Sequence, residues 1–191
     1  PFWGDTMLYR REAALGDGSF GADFAADVKF ARPAVTGDGT EALYVSADND
    51  LCYTETANPN AGACLGFAGQ VHSVALAPDG SFGAFVFRDA FTGQPDNRIT
   101  VLDLVHSTTK TYELLAPALD GVPIDAVMFA DSMTFSTDSQ LLIYDAVSRL
   151  RFGTGPTVER WSIYALHLGT GKISIVVPPI EGVDTGNPNM G

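Results

Sequence analysis

A short apolar strand, a turn with aspartate at one fixed place and a second strand with an aromatic at one fixed place occur three times in this sequence. The copies are residues 33–39 followed by 42–46, residues 74–80 followed by 83–87, and residues 133–139 followed by 142–146. Asp38, Asp79 and Asp138 hold the turn position, spaced by 41 and 59 residues, and Tyr44, Phe85 and Tyr144 hold the aromatic position. Self-similarity at such a period marks a repeat architecture, in which one unit cannot bury its apolar faces alone.

Each copy continues alike. A third strand is read at 51–54, 99–102 and 161–166, and a fourth at 64–68, 111–115 and 173–177. Gly-Asp-Gly, Pro-Asp-Gly and Gly-Thr-Gly separate the strands, where Gly supplies positive φ and Asp bonds back to the chain. Four antiparallel strands in 40–60 residues predict a propeller blade. The blades are placed at 30–69, 70–125 and 126–185. Residues 1–29 are read as the end of a preceding blade, with strands at 6–12 and 19–25, and residues 186–191 as the start of a following one. An acidic, Pro-bearing linker at 116–130 takes up the longer second spacing, and the third blade carries an insertion at 147–158. The hexapeptide Asp-Gly-Ser-Phe-Gly-Ala occurs at 17–22 and at 79–84; the first copy is read as the turn between a third and a fourth strand. The predicted fold is all-β, an incomplete portion of a propeller of six to eight four-stranded blades.

Composition agrees and excludes. Apolar spacing of helical period is nearly absent, while 20 Gly and 11 Pro punctuate the 191 residues. With 11 Lys+Arg against 23 Asp+Glu the net charge is −12. That disfavours nucleic acid and anionic lipid, both of which ask for a basic face. No apolar run approaches a membrane span of about 20 residues, and 46% apolar content is too high for a disordered chain. The sequence opens on Pro1-Phe2-Trp3 without a readable signal peptide and stops inside what reads as a new repeat, so a fragment of a longer protein is expected.

The Pro78-Asp79-Gly80 turn, the aromatic second strand and the third strand Ile99-Thr100-Val101-Leu102-Asp103-Leu104 resemble the WD-like repeats of TolB-type β-propellers. The resemblance spans roughly residues 30–191. Gly37 replaces the turn proline in the first copy, and Thr137-Asp138-Ser139 stands for the motif in the third. The resemblance implies a six-bladed propeller most often, a periplasmic or extracellular setting, and a role as a protein-binding scaffold or as the non-catalytic propeller of a serine peptidase.

Cys52 in a third strand and Cys64 opening a fourth face each other across a predicted hairpin. They are read as a disulfide, which implies an oxidising compartment, or as two unpaired thiols. His72, His106 and His167 share no ligand spacing: His72 is placed before the first strand of the second blade, His106 in a polar turn and His167 at the end of a third strand. Ser19 and Ser81 only approach a nucleophile elbow, with Asp17 and Asp79 at the first Gly position. Residues 169–172 are too short for a phosphate loop and read as a hairpin turn. Asp48, Asp50, Asp89 and Asp145 fall near the ends of second strands, either as a Ca²⁺ site of hard oxygen ligands or as strand terminators. Arg149, Arg151 and Phe152, with Leu150 expected to be exposed between them, form a candidate partner-binding segment, since Arg and Phe are enriched at interface hot spots; the alternative is a loop packed within the propeller. Residues 2–3 and 7–11 are similar in character.

The reading is therefore a non-catalytic binding or scaffold module in an extracytoplasmic setting. No cofactor is expected, Ca²⁺ being the one candidate ion, and its partner is another protein or further blades of its own protein. The alternative is the accessory or gating propeller of a larger hydrolase or peptidase, or a propeller lyase, with catalytic residues elsewhere.

Overall fold

The computed structural model describes residues 33–46, 50–57, 62–66, 71–89, 92–115, 124–151 and 154–179, and the backbone of 8–9 and 23–25. Strands β1 (Leu8–Tyr9) and β2 (Asp23–Ala25) pair antiparallel. Three four-stranded antiparallel sheets follow in sequence order. Blade 1 is β3 (Ala34–Val35), β4 (Glu41–Val45), β5 (Leu51–Glu55) and β6 (Ala63–Cys64). Blade 2 is β7 (Val71–Leu76), β8 (Phe82–Phe87), β9 (Arg98–Asp103) and β10 (Thr108–Glu113). Blade 3 is β11 (Ile124–Phe135), β12 (Leu141–Arg151), β13 (Thr157–His167) and β14 (Ile173–Val177).

The three turns between first and second strands are the same object. Thr36, Ala77 and Ser136 each donate their N–H to the carbonyl five residues on, at 2.8–3.0 Å, and Gly39, Gly80 and Ser139 donate back to those same three residues. Asp38, Asp79 and Asp138 each accept the N–H two residues on, from Thr40, Ser81 and Gln140, at 3.0–3.1 Å. The residue after each Asp has positive φ: 72° at Gly39, 73° at Gly80 and 55° at Ser139. Only the third turn meets this demand without glycine, against the steric cost of a Cβ there.

Gly37 explains why the first copy lacks the turn proline. Its N–H donates to the Pro78 carbonyl at 2.9 Å, tying the turn of blade 1 to that of blade 2; a proline has no N–H to give.

Blades pack through the two faces that strand alternation creates. Leu43, Val45 and Leu51 of blade 1 meet Val74, Leu76, Phe85 and Leu102 of blade 2. Ala84, Val86, Ile99 and Val101 on the other face of blade 2 meet Phe135, Leu142, Tyr144 and Tyr164 of blade 3. A Cβ on Gly83 would lie 3.0 Å from the Leu43 side chain, so this glycine makes room for blade 1. The repeated aromatic is the keystone of the packing: Phe85 faces blade 1, Tyr144 faces blade 2, and Tyr44 is buried on the remaining face of blade 1.

Three expectations are corrected. Residues 116–130 are not all linker, because β11 begins at Ile124. Nor do residues 147–158 form an inserted loop: β12 and β13 pair without interruption from Leu141↔His167 to Arg151↔Thr157. Strand chemistry was hidden by Arg149 and Arg151 at the alternate, outward positions. Leu150, expected to be exposed, is buried on the inward side of that ladder.

Candidate functional site at the inner strands

The first strands β7 and β11 lie against each other, and β3 and β4 lie against β7. Both β7 and β11 are bulged. On β7 one extra residue, His72, stands between Val71↔Phe87 and Ser73↔Val86. On β11 the register shifts three times, including between Ala130↔Ala146 and Met133↔Tyr144. A bulge re-aims side chains that would otherwise alternate. Here two bulges on neighbouring blades aim at each other: His72 Nε2 lies 2.6 Å from Asp131 Oδ1. The His72 side chain is 13% exposed and that of Asp131 47%. His72 Nδ1 is buried and has no partner among the described residues. Behind the bulge, Asp145 is buried and accepts the Ser132 N–H at 2.7 Å. His72 thus lies inside the first strand and not ahead of it, and its partner Asp131 was not singled out from the sequence.

The other candidate residues fall elsewhere. Cys52 and Cys64 are directly opposed on β5 and β6 and form a disulfide with Cα atoms 4.0 Å apart. A crosslink over a separation of 12 residues stabilises by at most about 3 kcal/mol. Asp50 precedes β5, its N–H bonded to the Ser46 hydroxyl at 3.2 Å. Asp89 follows β8 and accepts both the N–H and the hydroxyl of Thr92, at 2.8 and 3.0 Å. Asp145 stands inside β12. Asp48 and Phe152 lie outside the described residues, as do residues 2–3. Among the described residues no three His, Cys, Asp or Glu side chains group as a metal site.

Arg149 and Arg151 lie on one face of the long β12 and pair with their neighbours: Arg149 with Glu159 at 3.3 Å and Arg151 with Asp125 at 3.4 Å. Phe129 and Trp161 meet edge to face at 5.8 Å. Inside the same blade Tyr144 stacks on Tyr164 at 5.6 Å, and Ser148 bonds both the Tyr164 hydroxyl at 2.6 Å and Ser162 at 3.1 Å. Burial pushes the Tyr144 and Tyr164 phenols above their ordinary range. His106 is taken up in its own turn by Asp103, which accepts its N–H at 2.8 Å. That backbone bond, with the imidazole beside it, holds the Asp103 carboxyl below the usual carboxylate range. A groove of about 300 Å³ runs between β9 and β10 and the turns of blade 3, with Asp103, Lys110, Tyr112, Gln140 and Leu168 on its walls. The Lys110 ammonium sits 4.7 Å from the centre of the Tyr112 ring.

No family model and no curated protein matches this chain. Solved structures do. TolB from Acinetobacter baumannii superposes with a TM-score of 0.54 at 15% identity, over 90% of this chain and 38% of TolB. A chain of a nidogen/laminin complex superposes with 0.54 at 8% identity, over 88% of this chain and 57% of that one. The tricorn protease gives 0.53 at 13% identity, over 92% of this chain and 19% of the protease. This chain therefore spans about two fifths of TolB's length and less of the protease's. At these identities the likeness shows the fold, and the sheets agree with it: the described residues form four-stranded antiparallel blades of a β-propeller.

Proposed function

We infer that this chain is a non-catalytic binding module within an extracytoplasmic protein, and that blade 3 is its recognition element for a protein partner. The observation that carries the reading is the length of that blade. β12 runs five residues past Ala146, the counterpart of Phe87 where β8 ends. At about 3.3 Å per residue that is some 17 Å of extra ladder. β11 and β13 accompany it, so the projection is a three-stranded ribbon and not a loop, a rigid support for Arg149, Arg151, Arg160 and Trp161. Arg and Trp are the residues that anchor interfaces. On this ribbon Arg149 and Arg151 hold ion pairs with Glu159 and Asp125, and Arg160 adds a further cation that would favour an acidic partner. The disulfide favours an oxidising compartment. One structural neighbour was solved in complex with another protein, laminin.

The test is photo-crosslinking in the full-length protein in its native cells. Crosslinkers at positions 149 and 160 are expected to capture a partner protein, and one at position 79 on the turn side is expected not to. Equal capture at all three positions, or none, ends the reading. The tricorn neighbour favours a second reading, the accessory propeller of a larger hydrolase. In that case crosslinks from 149 and 160 would fall within the same polypeptide. Ca²⁺ is the ion to test at Asp48, Asp50, Asp89 and Asp145. A higher melting temperature in millimolar Ca²⁺ supports a site, and an unchanged melt removes it.

A further inference from the structure

We propose that the paired bulges on β7 and β11 form a recognition site for a cationic group, in which Asp131 receives the ligand's N–H donors and His72 positions the Asp131 carboxylate. A bulge costs a ladder hydrogen bond and leaves a residue unpaired. Here two of them, on different blades, coincide at one contact between residues 59 apart in sequence. A carboxylate only accepts, so at 2.6 Å the ring donates from Nε2. Its other nitrogen, Nδ1, is buried without a partner among the described residues. The polar ring is therefore sequestered to hold one oxygen of a side chain that stays about half exposed. The second oxygen, Oδ2, makes no bond among those described and is left for a ligand. Asp145 keeps Asp131 from swinging away, because its bond to the Ser132 N–H fixes the bulge from behind. It also adds a second carboxylate next to the site. Among the described residues no Lys or Arg is paired with Asp131. A half-exposed carboxylate aimed by a buried imidazole, with another carboxylate behind it, is chemically suited to an ammonium or guanidinium group. The charge-assisted bonds it offers are roughly twice as strong as neutral ones.

The probe is tetralysine, added to the full-length protein and followed by calorimetry. Asp131→Asn keeps the shape and removes the charge; Asp79→Asn removes the same charge on the turn side. Saturable binding is expected, weakened tenfold or more by Asp131→Asn and less than twofold by Asp79→Asn. His72→Ala is expected to weaken binding several-fold and His72→Gln, which can still donate, to restore most of it. In the unaltered protein, the ¹⁵N resonance missing from His72→Gln is expected to shift as tetralysine binds, and this readout does not depend on any variant at position 131 folding. Equal weakening by Asp131→Asn and Asp79→Asn would overturn the proposal, since the acidity of the whole chain would then explain the binding. So would an unmoved His72 resonance, or no saturable binding.

Discussion

Blades 2 and 3 share their strand order, turn and keystone aromatic, yet one has strands of six residues and the other runs to twelve. The difference is decided just past the second strand. After Phe87, blade 2 meets Asp89, which bonds Thr92, then Gly93 at φ 69° and Pro95, and a turn closes at once. After Ala146, blade 3 meets Val147, Ser148, Arg149, Leu150 and Arg151, with neither Gly nor Pro among them, and the ladder continues. Blade length in this fold is thus set by where turn chemistry begins and not by the core. The core is common to both: Phe85 and Tyr144 occupy equivalent places.

If that is right, deleting the keystone should cost both blades alike. Phe85→Ala and Tyr144→Ala are each expected to lose about 3–5 kcal/mol in denaturant unfolding; a large gap between them would break the equivalence. The added length should be separable. Ser148→Pro puts proline into a central strand and removes the bond to Tyr164, for a loss of about 3 kcal/mol. Amide exchange should quicken at 146–151 and 157–161 while 141–144 stays protected. Uniform quickening would show that the ribbon and the blade are one cooperative unit.

The turns give smaller effects. Gly37→Pro deletes the N–H that reaches Pro78 and should cost about 1 kcal/mol, although it makes the first turn match the second in sequence. An increase in stability would mean that the hydrogen bond between blades contributes nothing. Ser139→Gly should do the reverse, stabilising by up to about 1 kcal/mol, because of the three repeated turns this one alone places a side chain at positive φ. The smallest effect concerns acid. The Thr40 N–H, then the Thr40 and Thr36 hydroxyls, hold the Asp38 carboxyl at about 2, below the 3.8 of the free side chain. Its contribution is complete above about pH 4 and is lost as pH falls toward 2. Unfolding midpoints measured from pH 5 to 2 should fall less steeply for Asp38→Asn than for the unaltered protein, and parallel curves would refute that assignment.

The turns and keystones were legible in the sequence because they are local: an Asp, a residue able to take positive φ and an aromatic at fixed offsets. So was the disulfide, since Cys52 and Cys64 occupy opposite arms of one hairpin. The ribbon was not legible, because Asp125, Arg149 and Glu159 look like solvent loop until strand pairing shows them to be the outward half of an alternation. Nor was the contact of His72 with Asp131. It depends on two register shifts in strands of different blades, and a bulge changes which way a side chain points without changing its composition.

Those coupled shifts bear on how such a chain tolerates insertions and deletions. Removing one residue at 72 would straighten β7 and turn its remaining side chains relative to β11, leaving Asp131 opposite an ordinary row. Removing one at 131 would do the same from the other side. Across related sequences, then, single-residue gaps at these two positions should come and go together, although 59 residues separate them.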